Sequence, residues 1–373
     1  MGVTHATQVA PVSGAAYPAH RRRVHSLLSG LAISAVTLAL CLAAVEAFGY
    51  VWEEKTAEGP LGWTLVGARR LRLERHGTAA QPYYTFKPNE DYQWGGIPVH
   101  INSAGFRTEA FATPKPADTV RVLNLGDSVA FGWQVRQEET YGKQLEQLLN
   151  ARGDGKHYEV INAGTPGWGT EDERNFLLQQ GLTYEPDVVL LDITLVNDIY
   201  GGVAEAGRAE EPGPTTWLRE HSYIWPMLTT QGRLLFSKQK GPEAIPVLNP
   251  PRDPAAYFPL SETDPHWDSW WRSVATMQAA LQPRGIKLVL VPFPTAFQFA
   301  RDNPHPAVPQ RVLRQRAVAA NIELVDPLPL YQQACRSAGP DACEGFVNLL
   351  SVDVWMHPIP LGHRLAAEAL RGL

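Results

Sequence analysis

Short apolar runs alternate with helix-patterned segments along the chain after residue 119, and this alternation constrains the fold more than any other sequence feature. The runs VRVLNL, YEVIN and DVVLLDITL each have the length of a strand, and segments such as ETYGKQLEQLLNAR separate them. The third run is apolar at nearly every position, which is typical of a parallel strand covered on both faces. The pattern predicts an α/β fold with a doubly wound parallel sheet.

The alternation is interrupted at residues 201–264, which are rich in Gly, Pro and Trp. We interpret this segment as an insertion over the functional site, within a domain that spans residues 119–373. Its Trp217, Tyr223 and Trp225 either line a site for a sugar or acyl chain or pack as an ordinary cap on the sheet. Both interpretations stay open.

The N-terminal part contains a stretch without charge, Ser26 to Val45, directly behind Arg21, Arg22 and Arg23. Its length matches the hydrocarbon core of a bilayer, about 30 Å at about 1.5 Å per residue. We therefore predict a transmembrane anchor over residues 26–48. Basic residues ahead of a span keep the N-terminus in the cytoplasm, so the remaining chain is expected outside it, in the periplasm.

This interpretation makes residues 1–25 a cytoplasmic basic tail, but it has an alternative. Val45-Glu46-Ala47 resembles a small-residue cleavage site, so the apolar stretch is also compatible with a signal peptide that is removed. Residues 49–118 are expected to form a juxtamembrane helix, over 53–80, and then a small strand ribbon, because the sequence becomes aromatic and turn-rich.

Composition excludes several classes of function. The chain has 373 residues, of which 44% are hydrophobic and 19% charged, so it has the material for a large core and does not resemble a disordered chain. A formal net charge of -5 gives no electrostatic reason to expect a nucleic-acid partner. No His-Glu-x-x-His zinc motif and no phosphate-binding loop occur, so we expect no metal and no cofactor.

Cysteine usage fits export to an oxidising compartment. Cys41 lies in the apolar stretch, whereas Cys335 and Cys343 enclose a short Gly/Pro loop in CRSAGPDAC. In a compartment that permits oxidation such a pair predicts a local disulfide. Two unpaired buried thiols are the alternative.

Polar residues follow the first three predicted strands of the sheet. These are Gly126-Asp127-Ser128, Asn162-Ala163-Gly164 and Asn197-Asp198. Taken singly they are ordinary turn residues. In a doubly wound sheet, however, neighbouring strand ends converge on one crevice, so these groups are expected to meet.

The converging groups match the needs of a serine nucleophile. A serine hydroxyl attacks a carbonyl when a base takes its proton, and the resulting oxyanion needs preorganised donors. Ser128 would be the nucleophile, with its own N–H, the N–H of Gly164 and the amide of Asn197 as donors. His357, just before the last helical segment, is the candidate base, whereas His363 on that segment is expected to pack or cap.

Together with an aspartate–histidine pair just before the last helical segment, these three strand-end groups make four blocks in a characteristic order. They resemble the SGNH hydrolases, the GDSL esterase/lipase superfamily, and the resemblance extends from about residue 100 to the end of the chain. The resemblance implies a flavodoxin-like α/β/α fold and a serine hydrolase that acts on acyl esters. It also implies Ser128 as nucleophile, Gly164 and Asn197 as oxyanion donors and His357 as base.

The sequence departs from the family at the acid of the site. Members usually carry this acid three residues before the histidine, where Val354 stands here, and Asp353 lies one residue earlier. A single-residue bulge at Trp355 or Met356 would bring the Asp353 carboxylate to the imidazole, and we assign it the orienting role. Otherwise that role falls to another group, such as Asp326, or to a backbone carbonyl.

The sequence thus predicts an extracytoplasmic serine esterase that acts on acyl esters, acetyl esters among them, of envelope glycans or lipids. Its partners would be this ester substrate and, through the N-terminal helix, the membrane. An O-acyltransferase with the same residues is one alternative. A catalytically silent protein of carbohydrate binding or envelope assembly is the other.

Overall fold

The structure is a computed structural model that describes residues 19–56, 73–78, 81–94, 97–200, 214, 222, 255, 257–299, 308–339, 341–344, 350 and 357–373. The predicted acid Asp353 and the aromatic residues Trp217, Tyr223 and Trp225 lie outside these ranges.

Helices and strands are numbered in chain order within the described ranges. The helices are α1 (Ala19–Thr56), α2 (Ser128–Phe131), α3 (Tyr141–Asn150), α4 (Thr170–Gln179), α5 (Leu195–Tyr200), α6 (Pro265–Leu281), α7 (Ala296–Phe299), α8 (Val308–Ala319), α9 (Leu328–Ala338) and α10 (Pro360–Ala369). The strands are β1 (Leu73–Thr78), β2 (Gln81–Phe86), β3 (Glu90–Trp94), β4 (Ile97–Ile101), β5 (Thr119–Leu125), β6 (His157–Asn162), β7 (Val188–Thr194), β8 (Lys287–Phe293) and β9 (Glu323–Leu324).

A five-stranded parallel sheet has the order β6-β5-β7-β8-β9. The first strand of this sheet, β5, therefore lies between the second and the third, which is the flavodoxin-like order. The predicted doubly wound parallel sheet is confirmed. In this order the winding switches direction between β5 and β7, and a crevice opens at the carboxyl ends of these two strands.

Both faces of the sheet are covered by helices. On one face, α4 and α6 contribute Phe176, Trp267 and Met277 to the larger core cluster. On the other face, α3 and α10 contribute Leu145 and Ala366 to a second cluster. Because both faces are buried, the central strands need apolar side chains at nearly every position, as their sequences show.

The strand ribbon that precedes the sheet in the sequence consists of two antiparallel pairs, β1–β2 and β3–β4. Strand β2 is packed on the main domain, since Tyr83 meets Phe176 of α4 edge-on and Phe86 stacks on Phe131 of α2. The ribbon thereby contacts the short helix that begins with Ser128.

One local expectation is wrong. Part of the predicted juxtamembrane helix is strand β1, because Leu73–Thr78 pairs with β2 and contains Gly77 at φ 83°, a conformation that a helix does not permit. At the start of α4, Gly169 is the N-cap and Thr170 is the first helical residue. The Thr170 hydroxyl donates to Asp198 across a distance of 2.7 Å.

The residues up to Trp52, which include most of helix α1, form a compact unit of their own. The segment Leu28–Phe48 has a mean hydropathy of 2.3 and is long enough to cross a membrane, and none of its side chains is buried. A signal sequence near the N-terminus would meet the same criteria of length and hydropathy. The unit also holds the exposed free cysteine Cys41.

The predicted disulfide is present in the structure. Cys335, in the last turn of α9, is bonded to Cys343, and both side chains are buried. The bridge closes the loop after α9 and lies in a small apolar cluster with Tyr331 and Leu350.

Candidate active site

The turn after β5 presents Ser128 at the first position of α2. Asp127 is the N-cap of this helix, and its Oδ1 accepts the Val129 N–H at 2.8 Å. Gly126 is required before it, because a Cβ there would lie 2.6 Å from the Cβ atoms of Ala130 and Asp192. The Gly-Asp-Ser sequence therefore builds a tight strand-to-helix turn with the serine at the carboxyl edge of the sheet.

His357 contacts Ser128 directly. Its Nε2 lies 2.8 Å from the Ser128 Oγ, although 229 residues separate the two along the chain. Both side chains are more than 90% buried, at 8% and 9% relative exposure. The indole of Trp133 stacks on the imidazole with ring centroids 5.6 Å apart and an interplanar angle of 21°. This contact has the geometry that a base needs to take a hydroxyl proton.

Asp127 connects the end of β7 to the serine turn. Its Oδ1 also accepts the Thr194 hydroxyl at 3.0 Å, and its Oδ2 accepts the side-chain amide of Asn197. The amide of Asn197 therefore points toward the serine turn and is held by one of its two N–H groups.

Asp198, next to Asn197, accepts hydrogen bonds that hold neighbouring elements together. Its Oδ2 accepts the backbone N–H of Thr194 at 2.7 Å, and its Oδ1 accepts the Thr170 hydroxyl. The indole N–H of Trp270 donates in turn to the Thr170 hydroxyl oxygen at 3.0 Å. These bonds connect α4 and α6 to the turn between β7 and α5.

Gly164 lies against the backbone of α2. A Cβ at this position would be 2.3 Å from the Phe131 nitrogen, so only glycine permits the approach. The Gly164 N–H donates to Asn162 Oδ1 at 3.1 Å, and the Asn162 amide donates to the Ala130 carbonyl at 2.8 Å. Strand β6 is thereby fixed to the serine turn.

Four buried acids lie in and around the serine turn. Burial is the main cause that raises the pKa of Asp127, Asp192, Asp198 and Glu173, and repulsion from neighbouring carboxylates adds to it for the last three. The Asp192 and Glu173 carboxylates accept no hydrogen bond within the described part of the chain. In the same ranges, no group of three His, Cys, Asp or Glu side chains is placed to hold a metal ion.

The other candidate residues have different environments. His363 is fully buried, and burial lowers its pKa to about 3, so it is neutral and accepts the Tyr141 N–H. The expected packing role fits this environment. Asp326, the alternative acid, lies just before α9. Its carboxylate accepts the Leu328 N–H and lies 3.6 Å from the Arg314 guanidinium.

Sequence reasoning missed three residues of this region. Asp192 had a usable signal, since a carboxylate inside the otherwise apolar run DVVLLDITL is unusual. Thr194 and Trp133 had none, because a threonine that ends a strand and a tryptophan in a loop are common in any sheet protein.

Three enzymes are among the solved structures that are similar to this chain. An acetyl xylan esterase, AlAXEase, is 19% identical over 67% of this chain and 98% of its own, with a TM-score of 0.42. The acetylxylan esterase Axe2 from Geobacillus stearothermophilus is 18% identical over 67% and 92%, with a TM-score of 0.40. LAE5, an alpha/beta hydrolase enzyme from the metagenome of Lake Arreo, is 16% identical over 67% and 93%, with a TM-score of 0.40. No curated protein sequence matches the chain.

A family-wide sequence pattern matches well over half of the chain. The GDSL-like lipase/acylhydrolase family matches residues 125–365, from the end of β5 into α10. This range contains the Gly-Asp-Ser turn, the ends of β6 and β7 and His357. The resemblance to the GDSL esterase/lipase superfamily is confirmed. The chain belongs to the GDSL-like lipase/acylhydrolase family and is a carboxylic ester hydrolase.

Proposed function

We propose that the protein is a membrane-anchored serine esterase that hydrolyses acyl esters, acetyl esters among them, of glycans or lipids in the cell envelope. One observation carries the catalytic part of this proposal. The His357 imidazole lies at hydrogen-bond distance from the Ser128 hydroxyl, at the carboxyl edge where open α/β sheets bind their ligands.

The reaction proceeds in two steps. His357 takes the hydroxyl proton as Ser128 Oγ attacks the ester carbonyl, and the tetrahedral intermediate collapses when the protonated imidazole returns that proton to the leaving alcohol. A water molecule, deprotonated by the same imidazole, then attacks the acyl-serine. When the second tetrahedral intermediate collapses, its bond to Ser128 Oγ breaks, the protonated imidazole returns the proton taken from water to Oγ, and the carboxylic acid leaves.

Three donors serve the oxyanion. The Ser128 N–H lies at the first position of α2, where no carbonyl of the helix can accept it. Asn197 uses one amide N–H to bind Asp127, and the second remains to donate to the substrate. The Gly164 N–H, which donates to Asn162, would be shared with the oxyanion. The Asp353 carboxylate is proposed to orient His357.

Location is proposed from the N-terminal unit and the disulfide. Leu28–Phe48 has the length and hydropathy of a span, and three arginines precede it. The Cys335–Cys343 bridge fits an oxidising compartment. An envelope glycan or lipid is then the ester that such a domain meets. The mass of the mature protein purified from membranes decides between the anchor and a cleaved signal peptide.

The full-length protein in detergent provides the test of catalysis. We expect it to hydrolyse nitrophenyl esters and to be labelled by a fluorophosphonate. Ser128→Ala should lower kcat by about a thousandfold or more and abolish labelling. Asn197→Ala should lower kcat by about a hundred- to a thousandfold, because it removes one oxyanion donor. Ser273→Ala is the control, since Ser273 is also buried but contacts Arg174 on α4.

The outcomes separate the alternatives. Full activity in Ser128→Ala would exclude the proposed nucleophile. A parent that is neither active nor labelled would favour a silent glycan-binding role. If an added glycan acceptor diverts the acyl group from water, the protein is an acyltransferase with the same residues. A lowered rate in Asp353→Asn, with intact labelling stoichiometry, would support the orienting role of Asp353.

A further inference from the structure

Arg107 is a buried cation that binds the loop behind the nucleophile. It is 1% exposed. Its Nη1 donates to the carbonyls of Phe131 and Gly132, at 3.1 and 2.6 Å, and its Nη2 donates to the carbonyl of Val135 at 2.7 Å. The guanidinium carbon also lies 5.0 Å from the centroid of the Phe131 ring. Three carbonyls within five residues are thus bound by one planar group, which a lysine ammonium cannot reproduce.

The sequence NSAGFR builds a turn that aims Arg107 at this loop. The Asn102 side chain accepts the N–H groups of Ala104 and Phe106, at 2.9 and 3.1 Å. Gly105 adopts φ +85°, and a Cβ there would lie 2.8 Å from the Phe86 carbonyl oxygen. Phe106 enters the core, so the next side chain points to the opposite side, toward α2. The turn is therefore built around a fixed direction of Arg107.

The loop that Arg107 binds carries the aromatic partner of His357. Trp133 lies between the bound carbonyls of Gly132 and Val135, and its backbone N–H donates to the Ser128 carbonyl at 3.0 Å. Gln134 adopts φ 66°, which is unfavourable for a residue with a side chain. Such a conformation persists only where the surroundings fix it, and the Arg107 hydrogen bonds on both sides do so.

We propose that Arg107 is a positioning residue of the active site, which acts by fixing Trp133 against the imidazole of His357. The stacked indole keeps the ring in line with the Ser128 hydroxyl and favours its cationic form, because a cation is attracted to the face of an indole. This inference rests on the proposed role of His357 as base. It also extends the site beyond the family match, which begins only at residue 125.

Charge interactions of Arg107 have to be separated from its hydrogen bonds. Asp127 and His363 interact by charge with His357, and Arg107 itself interacts by charge with His363. The hydrogen bonds of the Arg107 guanidinium go to the carbonyl oxygens of the loop. An Arg107→Lys variant keeps the positive charge and removes the three-point hold, so it tests position and not charge.

The experiment compares two buried arginines in the full-length protein. Arg121 is the matched control, because it is 0% exposed and binds two carbonyls, those of Tyr184 and Ala112, far from the loop. Active sites are counted by fluorophosphonate titration. We expect Arg107→Lys to lower kcat about tenfold or more at nearly unchanged KM, and Arg121→Lys to leave kcat per titrated site within about twofold.

Trp133 variants test the same contact without touching the arginine. Trp133→Leu should lower kcat about tenfold and move the acidic limb of the pH–rate profile to lower pH, whereas Trp133→Phe should restore most of both. The Arg107→Lys/Trp133→Leu double variant should lose no more than Trp133→Leu alone, because Arg107 acts through Trp133.

The results separate failure of this inference from failure of the proposed function. If the parent and Ser128→Ala are equally inert, the proposed function and the inference fall together. If the parent is active but Arg107→Lys behaves like Arg121→Lys, only the inference falls. It also falls if Trp133→Leu hydrolyses at the parental rate, or if the two losses add in the double variant.

Discussion

The two ends of the central strands bury charge in opposite ways. Toward the amino ends, Arg121 of β5 pairs with Glu159 of β6 at 2.6 Å, and Lys115 pairs with Asp187 at 2.5 Å. Near the carboxyl ends, four carboxyl groups are buried, and no Lys or Arg side chain forms an ion pair with them within the described part of the chain. One end pairs its charges, and the other buries acids without such pairs.

The difference separates stability from function. Paired charges hold strands together, and removal of either partner leaves a buried charge alone. The carboxyl end instead satisfies Asp127 and Asp198 with neutral donors, among them Thr194 and Asn197, and gives Asp192 no hydrogen-bond partner among the described residues. Such an arrangement costs stability, and perturbed carboxyl groups of this kind cluster at functional sites. We expect variants at the two ends to differ accordingly.

The largest effect is expected at the amino ends of the strands. Arg121→Met should lower the free energy of unfolding by about 3–5 kcal/mol, because it leaves the Glu159 carboxylate and the carbonyls of Tyr184 and Ala112 without their donor. Denaturant unfolding measures this loss. The kcat per titrated active site should not change, since Arg121 lies far from Ser128.

Glu159→Gln is the control for that loss. Glutamine keeps a hydrogen-bond acceptor for Arg121 and should therefore cost much less. Equal losses in both variants would mean that the charge pair dominates and not the bonds to the carbonyls. A fall in kcat per site in Arg121→Met would abolish the distinction between the two ends.

At the carboxyl end, we expect a substitution to have an intermediate effect and to raise stability instead of lowering it. Burial and neighbouring carboxylates raise the pKa of Asp192 well above its usual value, so the folded protein holds this proton at pH values where the unfolded chain releases it. The folded state then binds more protons, and stability falls as the pH rises above about 4. Asp192→Asn removes this dependence.

Thermal unfolding at several pH values tests the prediction. The Asp192→Asn variant should have a Tm about 2 °C or more above the parent at pH 8, and the difference should shrink toward about pH 4, where the unfolded parent chain takes up this proton as well. A Tm difference that is the same at both pH values would show that folding does not raise the pKa of Asp192. Asp154→Asn is the control, because hydrogen bonds from the Tyr158 hydroxyl and the Lys156 N–H lower the pKa of this exposed carboxyl, so this variant should not raise the Tm at pH 8.

Sequence patterns predicted the sheet and the serine turn because both depend on local chemistry. The apolar runs of β5 to β8 and the turn at Gly126 to Ser128 can be read from neighbouring residues. Strand β1 could not be predicted, since LERHGT becomes a strand only by pairing with β2. Arg107 and Trp133 had no local signal either, because their role arises from contacts between segments far apart in the chain.

The smallest effect is expected at the amino ends of the strands. It tests whether the burial of an ion pair, as well as the pairing itself, determines its contribution to stability. The side chains of Lys115 and Asp187 are 16% and 43% exposed, so water screens their attraction. Asp187 also keeps the Arg121 N–H at 2.7 Å when the lysine is lost. Lys115→Met should therefore cost only about 0.2–1 kcal/mol, and less in 0.5 M salt. If instead it costs as much as Arg121→Met and resists salt, charge balance itself and not burial would stabilise this end of the sheet.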